Sequence, residues 1–169
     1  MKYTFSSILF LVLLSIFTSC GPSGPQPGEE APHLELIDVD GNSVALKDYR
    51  GKLVLLHFWT DWCDACREEF PKMQAYYKEI GGNDFELLAV NVGQDSAAVD
   101  LFRKDFNVTF PMCMDEEAVA ARIYGIEQFP TNYLINPEGT ISRRVVGWVD
   151  REFVENVLYN IERGNKGGE

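Results

Sequence analysis

A continuous apolar run that ends close to a pair of cysteines constrains this chain most. Residues Leu53 to Trp59, LVLLHFW, are nearly all apolar, and Cys63 and Cys66 follow in a C-x-x-C spacing. An unbroken apolar run of this length is typical of a strand that is buried on both faces of a parallel sheet. The next stretch predicts a helix from Cys63 to about Ile80 that is kinked at Pro71. The cysteine pair is therefore predicted where a buried strand gives way to a helix.

Strand patterns alternate with helix patterns along the rest of the chain. Strands are predicted at residues 33–39, 43–46, 53–59, 85–91, 109–114, 131–136 and 141–146, and helices at 63–80, 96–106, 116–124 and 151–162. A DGN turn joins the first two strands into a hairpin, and NPEG joins the last two. This order predicts an α/β fold in which helices flank a central mixed β-sheet. The domain is expected to span residues 33–163 and to end in a disordered tail, 164–169.

The first nineteen residues are typical of a secretory signal peptide. Ile8 to Phe17 is an apolar run of ten residues that only Ser15 interrupts. Such a run is too short to cross a bilayer, which takes roughly 20 residues, and it suits the apolar part of an export signal. Export would deliver the chain to a compartment where disulfides are permitted.

The segment around Cys20 resembles the lipidation site of bacterial lipoproteins. That resemblance implies a lipid on Cys20; the alternative is ordinary cleavage near Ser19, which leaves Cys20 free. Residues 20–32 are dense in Gly and Pro, so they are predicted to form a tether between lipid and domain. The predicted location is the periplasmic side of a bacterial membrane. Gly21 stands where an Asp retains lipoproteins in the inner membrane, which favours the outer membrane.

Composition and cysteine count exclude several classes of protein. A formal net charge of −11 argues against nucleic-acid binding, because phosphate binding needs a basic face. A four-cysteine zinc site needs a second C-x-x-C, and the only histidines are His33 and His57. No metal and no cofactor are therefore expected. Cys113 is left over, either as a small buried apolar residue or as a third redox cysteine.

The C-x-x-C pair is predicted to be a redox dithiol. The positive end of the helix dipole favours a thiolate at Cys63, the more exposed cysteine. Cys66, one turn further along, would attack the mixed disulfide and release the product. Trp62 would shield the Cys63 sulfur on one side. The intervening Asp64-Ala65 includes no cation to stabilise a thiolate strongly, which predicts a reductant that depends on a membrane thiol donor.

A second segment completes the predicted site. Phe129-Pro130-Thr131 lies about 64 residues downstream of the dithiol and leads into a strand. A cis peptide bond before Pro130 would turn the backbone beside the dithiol. The backbone of Phe129 could then pair with a polypeptide substrate as an added strand. Substrate contacts are expected from an apolar collar and the cis-proline loop, which comprise Trp59, Trp62, Phe129, Thr131 and Tyr133. The alternative for Trp59 is a place in the core.

These motifs resemble the thioredoxin superfamily, and more narrowly the membrane-tethered thiol–disulfide oxidoreductases of the ResA/TlpA type. The resemblance covers about residues 28–162 and includes FWTDWCDACREEFP, LLAVNVGQ and QFPTNYLINPEG. It implies a thioredoxin fold with an N-terminal β-hairpin and an inserted strand and helix. It also implies reduction of disulfides in exported proteins, including apocytochrome c. By this resemblance Cys63 is the nucleophile, Cys66 the resolving thiol and Pro130 the cis-proline.

Three further residues are expected to support the dithiol. Many relatives carry an acidic residue after V-N-V-G, where this chain has Gln94, which cannot exchange a proton. Glu69 matches an acidic position of the ResA-like pattern and would serve instead; the alternative is a solvated helix residue. His57 stands where thioredoxins have a buried Asp, and it would accept the proton that Cys66 loses. The alternative for His57 is a core histidine bonded to backbone.

Two other functions stay open at this point. A peroxidase of the peroxiredoxin type would use a Thr three residues before its reactive cysteine, and Thr60 occupies that position before Cys63. A copper chaperone would need a C-x-x-x-C and a distant His, whereas this chain has two residues between its cysteines and no His after His57.

Overall fold

Seven strands and four α-helices make up the part of the chain that the computed structural model describes, residues 24–82 and 84–166. The strands are β1 (Glu35–Asp38), β2 (Ser43–Ala45), β3 (Leu53–Trp59), β4 (Phe85–Val92), β5 (Met112–Asp115), β6 (Thr131–Ile135) and β7 (Ile141–Val146). The helices are α1 (Asp64–Ile80), α2 (Ser96–Phe106), α3 (Val119–Ile123) and α4 (Arg151–Lys166), and a 3-10 helix lies at Leu46–Tyr49. None of these helices is long and apolar enough to cross a membrane. The predicted signal peptide and Cys20 lie outside the described residues.

The strands form one mixed sheet in the order β2-β1-β5-β4-β3-β6-β7. The pairs β3–β4 and β4–β5 are parallel, and the other neighbours are antiparallel. The predicted mixed sheet and N-terminal hairpin are therefore confirmed. The carboxyl ends of β3, β4 and β5 share one edge with the start of β6 and the end of β7. We call this the carboxyl edge.

Strand β3 lies at the centre of the fold and is buried along its whole length, as predicted. Leu53 and Leu55 pack into a core with helices α1, α2 and α4. Val54 and Leu56 point the other way, into a core with α3 and the N-terminal residues. Burying a Val or Leu side chain contributes roughly 1.5–3 kcal/mol, so a strand that fills both cores is fixed firmly in register.

Two elements near the carboxyl edge are shorter than predicted. Strand β5 begins at Met112, three residues later than expected, because the Gln74 side chain accepts the Thr109 backbone N–H (2.7 Å) and Pro111 has no N–H. Helix α3 begins at Val119. The Asp115 carboxylate accepts the backbone N–H groups of the next two helical residues at 3.1 and 2.8 Å, which fixes this start.

Helix α4 runs to Lys166 instead of ending near residue 162. The predicted disordered tail is therefore wrong for residues 164–166. The helix continues through Gly164, because a glycine inside a helix costs only about 1 kcal/mol relative to alanine, which the rest of a 16-residue helix outweighs.

The described end of the predicted tether, residues 24–32, packs against the domain. We call these residues the N-terminal strap. Gly28 donates its backbone N–H to the Ile141 carbonyl at 2.8 Å, and the Ile141 backbone N–H donates to the Glu29 carbonyl at 2.8 Å. The Tyr124 hydroxyl donates to the Pro32 carbonyl at 2.8 Å. The tether prediction is wrong for these residues, because β7 is an edge strand whose free backbone groups bind the strap.

We expect Gly24→Ala to destabilise the fold more than Gly28→Ala does. Both glycines have positive φ, +110° and +90°, so both substitutions cost about 1 kcal/mol of backbone strain. A Cβ at Gly24 would also collide with the Tyr124 carbonyl, whereas a Cβ at Gly28 meets nothing within 4 Å. Overpacking adds about 1–3 kcal/mol at Gly24 alone, measurable by urea unfolding. Equal losses in the two variants would show that the strap does not pack in solution.

Candidate active site

Cys63 and Cys66 lie at the carboxyl edge, where the chain leaves β3 and enters α1. Cys63 is the N-cap residue of α1, and its Sγ accepts the Cys66 backbone N–H at 3.1 Å. The two sulfurs form a disulfide across a Cα–Cα distance of 5.2 Å. Cys63 is 8% exposed and Cys66 is fully buried, as the sequence predicted. Cys63, the more exposed of the two, therefore lies at a helix N-terminus, which favours its thiolate once the pair is reduced.

The loop that carries Pro130 lies beside the dithiol. The Phe129–Pro130 peptide bond is cis, which confirms the prediction. The Trp62 ring packs edge-on against the Phe129 ring with centroids 5.7 Å apart, so the loop before Cys63 contacts the loop that carries Pro130. Trp62 is nonetheless 70% exposed. Within the described residues, the backbone N–H and C=O of Phe129 have no hydrogen-bond partner.

A third loop, after β7, joins the first two and was missed by sequence reasoning. Gly147 donates its backbone N–H to the Pro130 carbonyl at 2.8 Å, and Val149 donates its own to Glu69 Oε1 at 3.1 Å. Trp148 lies between them and is partly exposed. The Lys72 Nζ lies 4.2 Å from the centre of the Trp148 ring. The signal that could have found this residue is a tryptophan directly after a strand that ends at the carboxyl edge.

Glu69 is a buried carboxyl group on the same helix as the dithiol. It lies three residues after Cys66 and is 1% exposed, so the interpretation as a solvated residue is wrong. Val149 binds Oε1, and Oε2 has no partner among the described residues. Burial raises the pKa of Glu69 to about 7, although the Val149 N–H and the Lys72 charge act in the opposite direction. Glu69 can therefore gain or lose a proton near neutral pH, one helical turn from Cys66.

His57 is a core residue whose hydrogen-bond partner is a side chain, not the predicted backbone. Its Nδ1 lies 2.7 Å from Asn132 Oδ1, and Asn132 Nδ2 donates to the Gly147 carbonyl at 2.7 Å. This second bond orients the amide, so Nδ1 of His57 carries the proton. Burial lowers the pKa of His57 to about 4, against the opposing effect of the Asn132 bond. The ring is therefore neutral at physiological pH and is a poor acceptor for a thiol proton.

Gln94 positions the loop that precedes Cys63. Its Oε1 accepts the Asp61 backbone N–H at 3.0 Å and the Asn91 side-chain N–H at 2.8 Å. An uncharged amide thus stands where relatives of the resembled family carry an acid, and it holds the Cys63 loop to the end of β4.

Three predicted substrate contacts are buried. Trp59, Thr131 and Tyr133 are all fully buried, which excludes direct contact with a substrate in this conformation. Trp59 packs against aromatic rings of α1 and α2 at 4.6 and 4.3 Å, so its core interpretation is confirmed.

Cys113 is also buried, with 1% of its surface exposed, and it is a free thiol. Burial, together with the Asp38 charge, raises its pKa to about 12. Cys113 is therefore buried in the core with a protonated sulfur, where it packs as a small apolar side chain.

Known proteins resemble this chain over most of its length. The model of the AhpC/TSA family matches residues 27–144. The thiol-disulfide oxidoreductase ResA of Bacillus subtilis is 35% identical over 148 residues, which cover 88% of this chain and 83% of ResA.

Two solved structures resemble the fold. The thioredoxin domain of a thiol-disulfide oxidoreductase from Bacteroides vulgatus superposes with a TM-score of 0.70 at 26% identity, covering 80% of this chain and 98% of that one. The exposed lipoprotein thioredoxin of Streptococcus pneumoniae superposes with a TM-score of 0.64 at 29% identity, covering 76% and 99%. The thioredoxin-like fold predicted from the sequence is confirmed.

We expect the wild type to lose stability relative to Glu69→Gln as pH rises from about 4.5 to 7. An unfolded carboxyl loses its proton near 4.5, whereas the folded one keeps it to about 7, so Glu69 lowers the free energy of unfolding across this window by up to about 3 kcal/mol. His57, with a pKa lowered to about 4, acts in the opposite direction in both proteins and cancels in the comparison. The amide oxygen of the variant would still accept the Val149 N–H. Urea unfolding of both proteins at pH 5 and pH 7.5 tests this, and an equal change in the two would contradict it.

Proposed function

Since the chain belongs to the AhpC/TSA family and is a thiol–disulfide oxidoreductase, we propose that it reduces disulfides of exported polypeptides on the periplasmic side of a bacterial membrane. One observation carries the proposal: a cysteine at a helix N-terminus is disulfide-bonded to a more deeply buried one, beside a loop with a cis-proline.

The proposed reaction is a two-step thiol–disulfide exchange. The Cys63 thiolate attacks one sulfur of the substrate disulfide, forms a mixed disulfide and expels the first substrate thiolate. The Cys66 thiolate then attacks the Cys63 sulfur, forms the internal disulfide and releases the second. Two electrons pass to the substrate, which takes up two protons. Glu69 is the proposed acceptor for the proton that Cys66 gives up, because it is buried one turn away with a pKa of about 7.

The substrate is proposed to bind as an extended polypeptide along the cis-proline loop. The backbone N–H and C=O of Phe129, which have no partner in the described part of the chain, can bond to a strand laid beside them. The exposed faces of Trp62 and Trp148 offer apolar contact on either side. Apocytochrome c, with a disulfide at its haem-attachment cysteines, is the substrate that the resemblance to the ResA type favours.

The direction of electron flow is proposed from the residues between the cysteines. Asp64-Ala65 provides no cation to stabilise the Cys63 thiolate, and a weakly stabilised thiolate makes a reductant. A reductant in an oxidising compartment has to be re-reduced continuously. We therefore propose a membrane thiol donor as its partner.

Lipid anchoring at Cys20 is proposed to keep the domain next to that donor. Similarity to the exposed lipoprotein thioredoxin of Streptococcus pneumoniae supports an anchor. The strap packs against the domain from Gly24 onward, and Gly24 follows Cys20 by four residues, a reach of about 14 Å when extended. The anchor would therefore hold the domain close to the bilayer. Gly21 after Cys20 favours the outer membrane.

A thiol peroxidase is the second candidate, because Thr60 precedes Cys63 by three residues and its buried Oγ1 has no partner among the described residues. The nearby resolving Cys66 and the exposed Trp62 favour disulfide exchange over peroxide reduction. We expect the reduced protein to consume hydrogen peroxide no faster than free dithiothreitol does. Rapid, stoichiometric consumption that Thr60→Val abolishes would favour the peroxidase.

We expect the Cys63–Cys66 couple to have a reduction potential below about −230 mV, near that of a thioredoxin. Equilibration with a dithiothreitol series measures it, with Cys113→Ser in parallel as a control that leaves the value unchanged. A potential above about −150 mV would make the protein an oxidant and would contradict the proposed direction.

We expect Cys20→Ser to release the protein from membranes without changing its dithiol activity. Lipid labelling and fractionation of the producing cells measure the first effect, and reduction of a soluble disulfide measures the second. A variant that stays with the membrane and keeps its label would exclude lipidation at Cys20.

A further inference from the structure

A groove of about 350 Å³ lies beside the carboxyl edge, on the side away from the cis-proline loop. We call it the acidic groove. Its apolar part comes from β1, the end of β5 and the start of α3, and its rim is acidic. The residues used below are Glu35, Ile37, Met114, Glu116, Glu117 and Val119.

Large apolar side chains are exposed in this groove. Ile37 is 48% exposed and Val119 is 44% exposed, and Ile37 lies directly opposite Met114 in the β1–β5 pair. Exposed apolar side chains gathered in one concave place and rimmed by polar groups mark interaction sites more often than scattered ones do.

The charges around the groove indicate which kind of partner it would bind. Glu116 and Glu117 are exposed, and neither carboxylate forms an ion pair within the described residues. Arg122, the nearest cation on α3, binds the Glu117 backbone carbonyl at 2.7 Å. The five loops of the carboxyl edge, residues 60–63, 93–95, 116–118, 126–130 and 147–150, contain six acidic residues and no Lys, Arg or His. A basic polypeptide therefore complements the groove and the dithiol face together.

The strand register places the groove level with the dithiol loop. Met114 pairs with Asn91, and Asn91 pairs with Trp59, the last residue of β3. Because neighbouring strands are about 4.8 Å apart, β5 lies about 10 Å and β1 about 14 Å to the side of β3. Even a transient interface buries about 600 Å² on each partner, a patch roughly 28 Å across. A partner protein centred on Cys63 would reach the groove.

We propose that the acidic groove is a second contact site for the polypeptide whose disulfide is reduced at Cys63, and that it takes an apolar side chain flanked by Lys or Arg. The proposal rests on the proposed function. The groove adds affinity and selects basic substrates, while the exchange of sulfur bonds takes place at Cys63.

Synthetic disulfide peptides test this proposal. Each peptide has a small disulfide ring and a four-residue Gly/Ser arm that ends in Lys-Leu-Lys, Glu-Leu-Glu or Lys-Ser-Lys, because four residues span about 14 Å. Turnover of the peptides is driven by dithiothreitol. The small disulfide that cannot reach the groove is 5,5′-dithiobis(2-nitrobenzoate), which is mixed with pre-reduced protein in the absence of dithiothreitol, because dithiothreitol reduces it directly. We expect the wild type to reduce the Lys-Leu-Lys peptide with a kcat/KM about tenfold above that of the other two peptides, because its KM is lower.

Two groove variants and two matched controls locate the effect. Glu117→Lys and Val119→Ser should each abolish most of the preference and leave reduction of the small disulfide unchanged, which also shows that they fold. Glu138→Lys, an exposed acid in the β6–β7 turn at the opposite edge, and Leu101→Ser, an exposed leucine on α2, should keep the preference.

The outcomes separate this proposal from the proposed function. Three results would each contradict the proposed contact site in the groove: equal kcat/KM for the three peptides in the wild type, a preference that survives both groove variants, or an equal loss of preference in the controls. Failure to reduce any peptide or the small disulfide would overturn the proposed reductase itself.

Discussion

The position of the dithiol depends on strand β3 being buried on both faces. Because β3 fills two cores, its register and direction are fixed, and its last residue delivers the chain to one place at the carboxyl edge. Helix α1 begins a few residues later, with Cys63 as its N-cap. Gln94 then ties this short connection to the end of β4. The reactive sulfur is therefore positioned by a strand that is buried on both faces, and it lies at a helix N-terminus, where a thiolate is favoured.

Three loops form the walls of the site. Gly147 binds the cis-Pro130 carbonyl, and two residues later Val149 binds Glu69 on α1. The loop after β7 thus links the cis-proline loop to the helix that carries Cys66. One backbone segment therefore holds both Pro130 and Glu69 in place.

Local signals explain which features could be predicted from the sequence. The unbroken apolar run of β3, the C-x-x-C at a helix start and the F-P-T segment each depend on neighbouring residues, and the structure has all three. The burial of Glu69 could not be predicted, because its partner is Val149, 80 residues away. The strap was missed for a similar reason. Gly and Pro predict that a segment forms no ladder by itself, whereas residues 28–31 bond to an edge that β7 leaves open.

The two buried titratable groups near the dithiol differ in what they can do for Cys66. Transfer of the Cys66 proton to Glu69, with a pKa of about 7, costs about 4 kcal/mol less than transfer to His57, with a pKa of about 4. That difference corresponds to a factor of about 10³ in the equilibrium for proton transfer. His57 therefore serves the site as a neutral donor to Asn132, which in turn binds the Gly147 carbonyl, and the carboxyl group on α1 is the proposed proton acceptor.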